Sequence, residues 1–370
     1  MRKKMKEKEI VVIGFMVLSI LLSTGSDVMG DFGFGTPENL GPAINTPMYE
    51  WGYAFPRNGL SLVFLRFPPN WNGIPEGWVA QRETRDDPWD NPVTLGPWIN
   101  TGELPKVLFE TIGGVPVGWG TTDDSEAYFS NSELSGYGSA DLFVLKRDTV
   151  DADWGPLLNL GPTVNLSTND YAPLMSPDGL ALYFASTNRP GGHGRSDLWV
   201  TTRTTQSNPW GVPTNLGPTV NSPSWDHWPS MSPDGLLLFF GSGRPGGLDG
   251  SDIWMTRRAS LSDPWEQAAN LGSPVNTPGD DDMASISPDG YTLYFCTTRP
   301  GGYGGYDLWQ APIIPTVDFN SDGIIDLVDM VMLIDNWDTS DTLFDIGPMP
   351  WGDGVVDIED LKVFVEHWEN

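Results

Sequence analysis

Asp170-Tyr171-Ala172-Pro173-Leu174-Met175-Ser176-Pro177-Asp178-Gly179, followed by Leu180-Ala181-Leu182-Tyr183-Phe184, occurs three times with variation. It returns at 226–240 with Leu-Leu-Leu-Phe-Phe after the turn, and at 281–295 with Tyr-Thr-Leu-Tyr-Phe. A repeat of this length sets the architecture of the chain. Downstream of each copy the order is constant. Arg-Pro-Gly-Gly begins at Arg189, Arg244 and Arg299, and Asp-Leu/Ile-Trp begins at Asp197, Asp252 and Asp307. Each unit thus offers four short strands between Gly/Pro turns. A four-stranded unit cannot bury both faces alone, and radial packing as propeller blades solves this.

A second marker, Leu-Gly-Pro-x-x-Asn, counts the blades. Its leucines are Leu40, Leu95, Leu160, Leu216 and, with Ser273-Pro274 in the proline step, Leu271. An aromatic stands six residues before each: Phe34, Trp89, Trp154, Trp210 and Trp265. The last repeat stops after Tyr306-Asp307-Leu308-Trp309 without its own fourth strand, while residues 34–40 supply a spare one. The expected fold is an all-β, five-bladed propeller over 32–313, closed by the N-terminal strand. Repeats one and two are degenerate. The first has Phe55-Pro56-Arg57-Asn58-Gly59 at the turn, and the second lacks Ser-Pro-Asp-Gly.

The Asp, Ser-Pro-Asp-Gly, Leu-Tyr-Phe, Asp-Leu-Trp order resembles the WD-like propeller repeat of TolB-type proteins. That family usually has six blades, so the five counted here depart from it. The resemblance implies the fold; it hosts both binding proteins and propeller domains of hydrolases.

Within the repeat, Asp178, Asp234 and Asp289 read as turn residues that accept backbone amides. Asp197, Asp252 and Asp307 read as structural, and Asn45, Asn100, Asn165, Asn221 and Asn276 as backbone caps. Glu50, Asp170, Asp226 and Asp281 align at the start of the innermost strand. These four carboxylates are the candidate ligand ring at one channel mouth, where like charges need a cation or hydrogen bonds; the alternative is a solvated strand start. Asp280 and Asp282 add charge beside Asp281, and Trp51, Trp225 and Trp228 lie near the same mouth. No catalytic constellation stands out. His193, His227 and His367 do not repeat, and near-identical repeats give carboxylates like surroundings, whereas acid–base chemistry needs unlike ones.

A net charge of −29 argues against nucleic acid or an anionic membrane as partner. The single cysteine, Cys296, excludes an internal disulfide and reads as a small buried hydrophobe. At the N-terminus, Arg2, Lys3, Lys4, Lys6 and Lys8 precede an apolar run over 10–22 and then Ser23-Thr24-Gly25-Ser26. This is the order of a secretory signal, taken as 1–30, so the chain is expected to be secreted, periplasmic or at the cell surface.

After Pro315 the composition changes. Residues 318–329 match a calcium loop, with Asp318, Asn320, Asp322, Asp326 and Asp329 at positions 1, 3, 5, 9 and 12. Gly323 stands at position 6, and the Ile324 carbonyl supplies position 7. Leu327, Val328, Val331, Ile334 and Trp337 predict an apolar helix face. The pattern returns with Asp353, Asp357 and Asp360 at positions 5, 9 and 12, where Met349 and Trp351 cannot ligate and Asp345 is a substitute through a longer loop. Two loop–helix units with Asp at position 12 resemble a dockerin over 316–370. The resemblance implies calcium as cofactor, an EF-hand-like helical module and a protein partner. Leu327-Val328 and Ile358-Glu359 stand where cellulosomal dockerins carry a Ser/Thr pair for cohesin.

The function expected from these features is an exported, non-catalytic binding or scaffold propeller on a calcium-dependent dockerin-like module, with carbohydrate as a candidate ligand. The alternative is a glycoside-active enzyme of polysaccharide catabolism working at the Glu50/Asp170/Asp226/Asp281 mouth.

Overall fold

The computed structural model describes residues 32–55, 58–68, 76–85, 87–97, 120–121, 123–132, 134, 136–320, 324–339, 343–347 and 355–368. The signal-like segment, Asn100, Asp322 and Asp353 lie outside the described residues.

The chain begins with β1 (Phe32–Phe34) and β2 (Glu38–Asn39). Blade one is β3 (Tyr49–Ala54), β4 (Ser61–Phe67), β5 (Glu76–Gln81) and β6 (Val93–Pro97). Blade two shows three described strands, β7 (Glu126–Asn131), β8 (Asp141–Lys146) and β9 (Leu158–Asn159). Blade three is β10 (Asn169–Met175), β11 (Ala181–Thr187), β12 (Ser196–Thr202) and β13 (Thr214–Asn215). Blade four is β14 (Asp226–Met231), β15 (Leu237–Ser242), β16 (Asp252–Arg257) and β17 (Ala269–Asn270). Blade five is β18 (Asp281–Ile286), β19 (Thr292–Thr297) and β20 (Asp307–Pro315), and its outer edge is taken by β1 and β2. Phe34 pairs with Ile313 and Asn39 with Trp309, so the chain start closes the last blade.

Second strands lie between two neighbouring blades and read as continuous apolar runs because both faces are covered. The two-residue period of β19 divides them. Leu293 and Phe295 enter the core shared with Phe239, Ile253 and Met255 of blade four. Tyr294 and Cys296 enter the core shared with Phe55, Leu62 and Phe64 of blade one. Cys296 is fully buried, and burial pushes its thiol well up.

The repeated polar residues are fasteners. Asn165 donates to the Leu142 carbonyl and accepts from its amide, both at 2.9 Å. Asn221 does the same at Leu198, Asn276 at Ile253 and Asn45 at Leu308, each reaching the third strand of the preceding blade. Arg82, Arg147, Arg203 and Arg258 lie 4.3–4.4 Å over Trp89, Trp154, Trp210 and Trp265. Each also donates Nε to a turn carbonyl, of Gly59, Asp124, Gly179 and Gly235. Blade two does keep the turn that its sequence conceals. Thr121 Oγ1 donates to Asp123 at 2.6 Å, as Ser176 does to Asp178, and Asp124 takes the left-handed conformation of Gly179.

The C-terminal residues have a core of their own, with Val317, Phe319, Leu333, Phe344, Ile346, Val356, Val363 and Phe364. They form α1 (Leu327–Asp335) and α2 (Ile358–Trp368). The predicted apolar face of α1 is corrected: Leu327, Val328, Val331 and Ile334 are exposed, while Met330 and Leu333 pack inward. One helix follows each loop, and the stretch before Asp318 is strand β20 and irregular chain. The helix–loop–helix of an EF-hand dockerin is therefore not shown among the described residues. No helix of the described residues is long and apolar enough to cross a membrane.

Candidate active site

The four aligned carboxylates do not ring the channel. Glu50, Asp170, Asp226 and Asp281 are all fully buried. Each accepts a backbone amide four residues upstream, from Thr46, Leu166, Ser222 and Thr277. Each is also paired with a buried arginine: Arg66 at 2.8 Å, Arg189 at 3.1 Å, Arg244 at 2.5 Å and Arg299 at 3.0 Å. The same guanidiniums donate to the carbonyls of Ile44, Val164, Val220 and Val275. Blade one reaches this arrangement from mid-strand Arg66, the others from the Arg-Pro-Gly-Gly arginine. Burial pushes the carboxyls of Glu50 and Asp281 up despite these partners. The ligand ring expected at this column is thus an internal ionic clip.

The neighbours of the clip acids meet one another across the blades. In each described inner strand the register slips after the residue that follows the acid. Gly52, Ala172, Trp228 and Met283 occupy the slip with φ of 60, 53, 51 and 54°. Bulges of this kind re-aim side chains, and a left-handed non-glycine residue stores strain. Trp228 meets Tyr171 at 5.5 Å and Trp51 at 6.1 Å between ring centroids, and Trp51 meets Tyr306 at 4.3 Å. Blades one and four are not neighbours in the ring, so the Trp51–Trp228 contact crosses the axis.

Here the repeats diverge. The residue before the clip acid is Tyr49, Asn169, Trp225 or Asp280, and the residue after it is Trp51, Tyr171, His227 or Asp282. Alternation along a strand sends Asp281 to its arginine and sends Asp280 and Asp282 to the other side. Both meet Ser251 of blade four. The Ser251 amide donates to Asp280 Oδ1 at 3.0 Å, and its hydroxyl donates to Asp282 Oδ2 at 3.2 Å. His227 Nε2 lies 3.1 Å from the same Asp282 oxygen, and the Met283 amide donates to Asp282 Oδ1 at 2.9 Å. Tyr306 bonds Asp280; burial and that carboxylate push its phenol far up. Asp282 is buried and Asp280 half-buried.

The sequence reading did not bring His227 and Asp282 together. The signal is their separation of one repeat, 55 residues, which puts them in the same column of successive blades. The other histidines lie elsewhere: the His193 amide serves Asp197 in a turn, and His367 Nδ1 faces the Val363 carbonyl in α2.

In the C-terminal loops, Asp329 accepts the amides of Asn320 and Asp326, and Asp326 caps α1. Asp360 repeats this arrangement, with Asp357, Ile346 and Gly347 as donors. Asp345, two residues before Gly347, thereby takes the place that Asp318 holds before Asn320. Among the described residues no group of three or more His, Cys, Asp or Glu is arranged to hold a metal.

The molecule is thus a five-bladed β-propeller of four-stranded blades with one asymmetric seam. Among solved structures it is similar to an α-L-arabinofuranosidase from Lactobacillus brevis, at 16% identity and TM-score 0.40, covering 74% of this chain and 91% of that one. A thermostable family-43 glycoside hydrolase matches at 16% identity and TM-score 0.41, covering 79% and 92%. The catalytic domain of a Coprinopsis cinerea GH62 α-L-arabinofuranosidase matches at 9% and 0.41, covering 77% and 98%. No family model and no curated protein matches the chain. The likenesses are to glycoside hydrolase propellers, not to TolB-type repeats or dockerins. The expectation of a non-catalytic scaffold, more a non-enzyme than an enzyme, runs against these comparisons: the propellers named are glycoside hydrolases, the class of its alternative. At this similarity they bear on the fold, and the chemistry has to be argued from the site.

Proposed function

We propose that the chain is a glycoside-active enzyme that hydrolyses O-glycosyl bonds, with Asp280 and Asp282 as its carboxylate pair. The observation that supports this is the acid pair beside His227 in a ring-lined axial site. Asp280, just before β18, and Asp282 within it are two residues apart, which is about 6–7 Å along an extended backbone. Carboxylates that flank a glycosidic bond stand about 5–9.5 Å apart. The pair also has the unlike surroundings that acid–base division requires. Buried Asp282, touching His227, is placed as proton donor to the leaving oxygen. Half-buried Asp280, held by the Ser251 amide and Tyr306, is placed as the base for water. Trp51, Tyr171 and Trp228 offer rings to a sugar face.

The test is reducing-sugar release by the full chain from a panel of polysaccharides and aryl glycosides. Asp280→Asn and Asp282→Asn should each lose about 10²–10⁴-fold in rate, the usual scale for a general acid or base. Asp178→Asn, at the far turn, should keep the rate. No release from any substrate, or an unchanged rate in both variants, rejects the reading.

The basic start and the apolar run over 10–22 support export as part of the same proposal. Calcium at 318–329 is proposed on the oxygen donors Asp318, Asn320, Asp326 and Asp329 and on the Asn320 and Asp326 amides that meet buried Asp329. A protein partner for 316–370 rests on the dockerin resemblance alone.

A further inference from the structure

Ser251 stands in a repeat column whose other members are Ala140, Ser196 and Tyr306, each just before the third-strand aspartate. Ser196 uses its hydroxyl on Tyr171 at 2.9 Å, and Ala140 has none. Among the described residues of this column, only Ser251 touches two carboxylates of the next blade with its amide and its hydroxyl. The residue before it is adapted to the same contact. Gly250 has φ of 70°, and a Cβ there would sit 2.5 Å from Asp280 Oδ1 and 3.1 Å from the Gly279 carbonyl. Ser251 is itself buried, so solvent does not compete for its hydroxyl.

We infer that Ser251 is the positioning residue of the acid pair: it fastens Asp280 and Asp282 in one relation across the seam of blades four and five, and Gly250 leaves room for the contact. The inference rests on the proposed hydrolytic role of the pair. Asp282 is faced by His227 of blade four and by the Ser251 hydroxyl, and Asp280 by Tyr306 and the Ser251 amide. Removing the hydroxyl takes one donor from the ionised form of Asp282 and so favours the protonated form that serves as proton donor.

The experiment compares Ser251→Ala and Ser251→Thr with wild type, using pH–rate profiles and melting temperatures of the full chain. Ser251→Ala should lower kcat by about tenfold or more with KM within about twofold, as for an interaction made in the transition state. The limb of its profile that reports Asp282 should move to higher pH, and Ser251→Thr should restore both. An unmoved limb, or a rate loss that follows a fall in melting temperature and is not restored by threonine, overturns the inference. A wild type without turnover rejects the reaction, and the clamp is then read by infrared titration of the carboxyl bands, with Asp282→Asn identifying the band. A rise in that band's midpoint in Ser251→Ala supports the clamp in an inactive protein; superimposable titrations overturn it.

Discussion

Asp170→Asn separates the clip from a ligand ring. Asp170 is fully buried, and its carboxylate takes donors from Leu166, Thr168, Ser186 and Arg189. Arg189 is itself buried; burial pulls its guanidinium pKa down, and the facing Asp170 charge works in the opposite direction. Asparagine keeps the size and one acceptor but leaves that guanidinium without a counter-charge. Removing one partner of a buried pair costs about 3–5 kcal/mol. That is a large share of a native stability of about 5–15 kcal/mol. At about 2–4 °C per kcal/mol for domains of this order, the melting temperature should fall by about 6–20 °C. Urea unfolding followed by tryptophan fluorescence, with calorimetry beside it, measures both. The double change Asp170→Asn/Arg189→Met should recover part of the loss, because it no longer leaves a buried guanidinium without its counter-charge. A single variant within about 0.5 kcal/mol of wild type, the range of an ordinary surface substitution, would refute the clip. Lost saccharide binding at unchanged stability would return Asp170 to the ligand ring.

Glu50 gives a pH test of the same clip. Its folded pKa lies above the ordinary 4.5 because burial outweighs Thr46 and Arg66, so the native state holds its proton more tightly. Its contribution to stability should be greatest below pH 4.5 and be lost as pH rises through the folded value. Unfolding free energies of wild type minus Glu50→Gln should therefore decline across that window, and a rise refutes the sign. Asn165→Ala should cost about 1–3 kcal/mol in urea unfolding, because it strands the buried amide of Leu142, while the Leu142 carbonyl keeps the Leu160 amide. Chelator should lower the melting temperature of 316–370 and leave the propeller transition in place, since a small core leans on its metal. Identical calorimetric traces with and without chelator would remove calcium from the proposal.

The fold was legible because its signals are local and repeated. Five Leu-Gly-Pro-x-x-Asn markers and one spare strand specify five closed blades, and β1 and β2 on β20 are where the count puts them. Blade two was obscured only because Thr121 and Asp124 serve as Ser and Gly do elsewhere. The aligned carboxylates misled for a physical reason: a repeated charge reads equally as a ring of ligands or a repeated fastener. Deciding between them needs the guanidinium that meets it, and Arg66 comes from a different sequence position than Arg189, Arg244 and Arg299. The helix face of α1 misled in a similar way, since periodicity finds an apolar stripe without saying which side the core occupies.

A propeller built from duplicated blades has to hold each inner strand to its neighbours by the same means, and here that means occupies the acid column. Glu50, Asp170, Asp226 and Asp281 are therefore committed, and change at them is penalised by the arginine left behind. The columns on either side carry no such obligation. There a bulge re-aims the next residue, rings meet across blades as Trp51, Tyr171 and Trp228 do, and one substitution alters one blade. Tyr49, Asn169, Trp225 and Asp280 share one such column, and Trp51, Tyr171, His227 and Asp282 the other. Two of these positions, one repeat apart, put an imidazole against a carboxylate at 3.1 Å. Unlike environments, which identical repeats cannot supply, arise at the seam where divergent neighbours face each other. That is why the proposed chemistry falls between blades four and five rather than on the residues that repeat best.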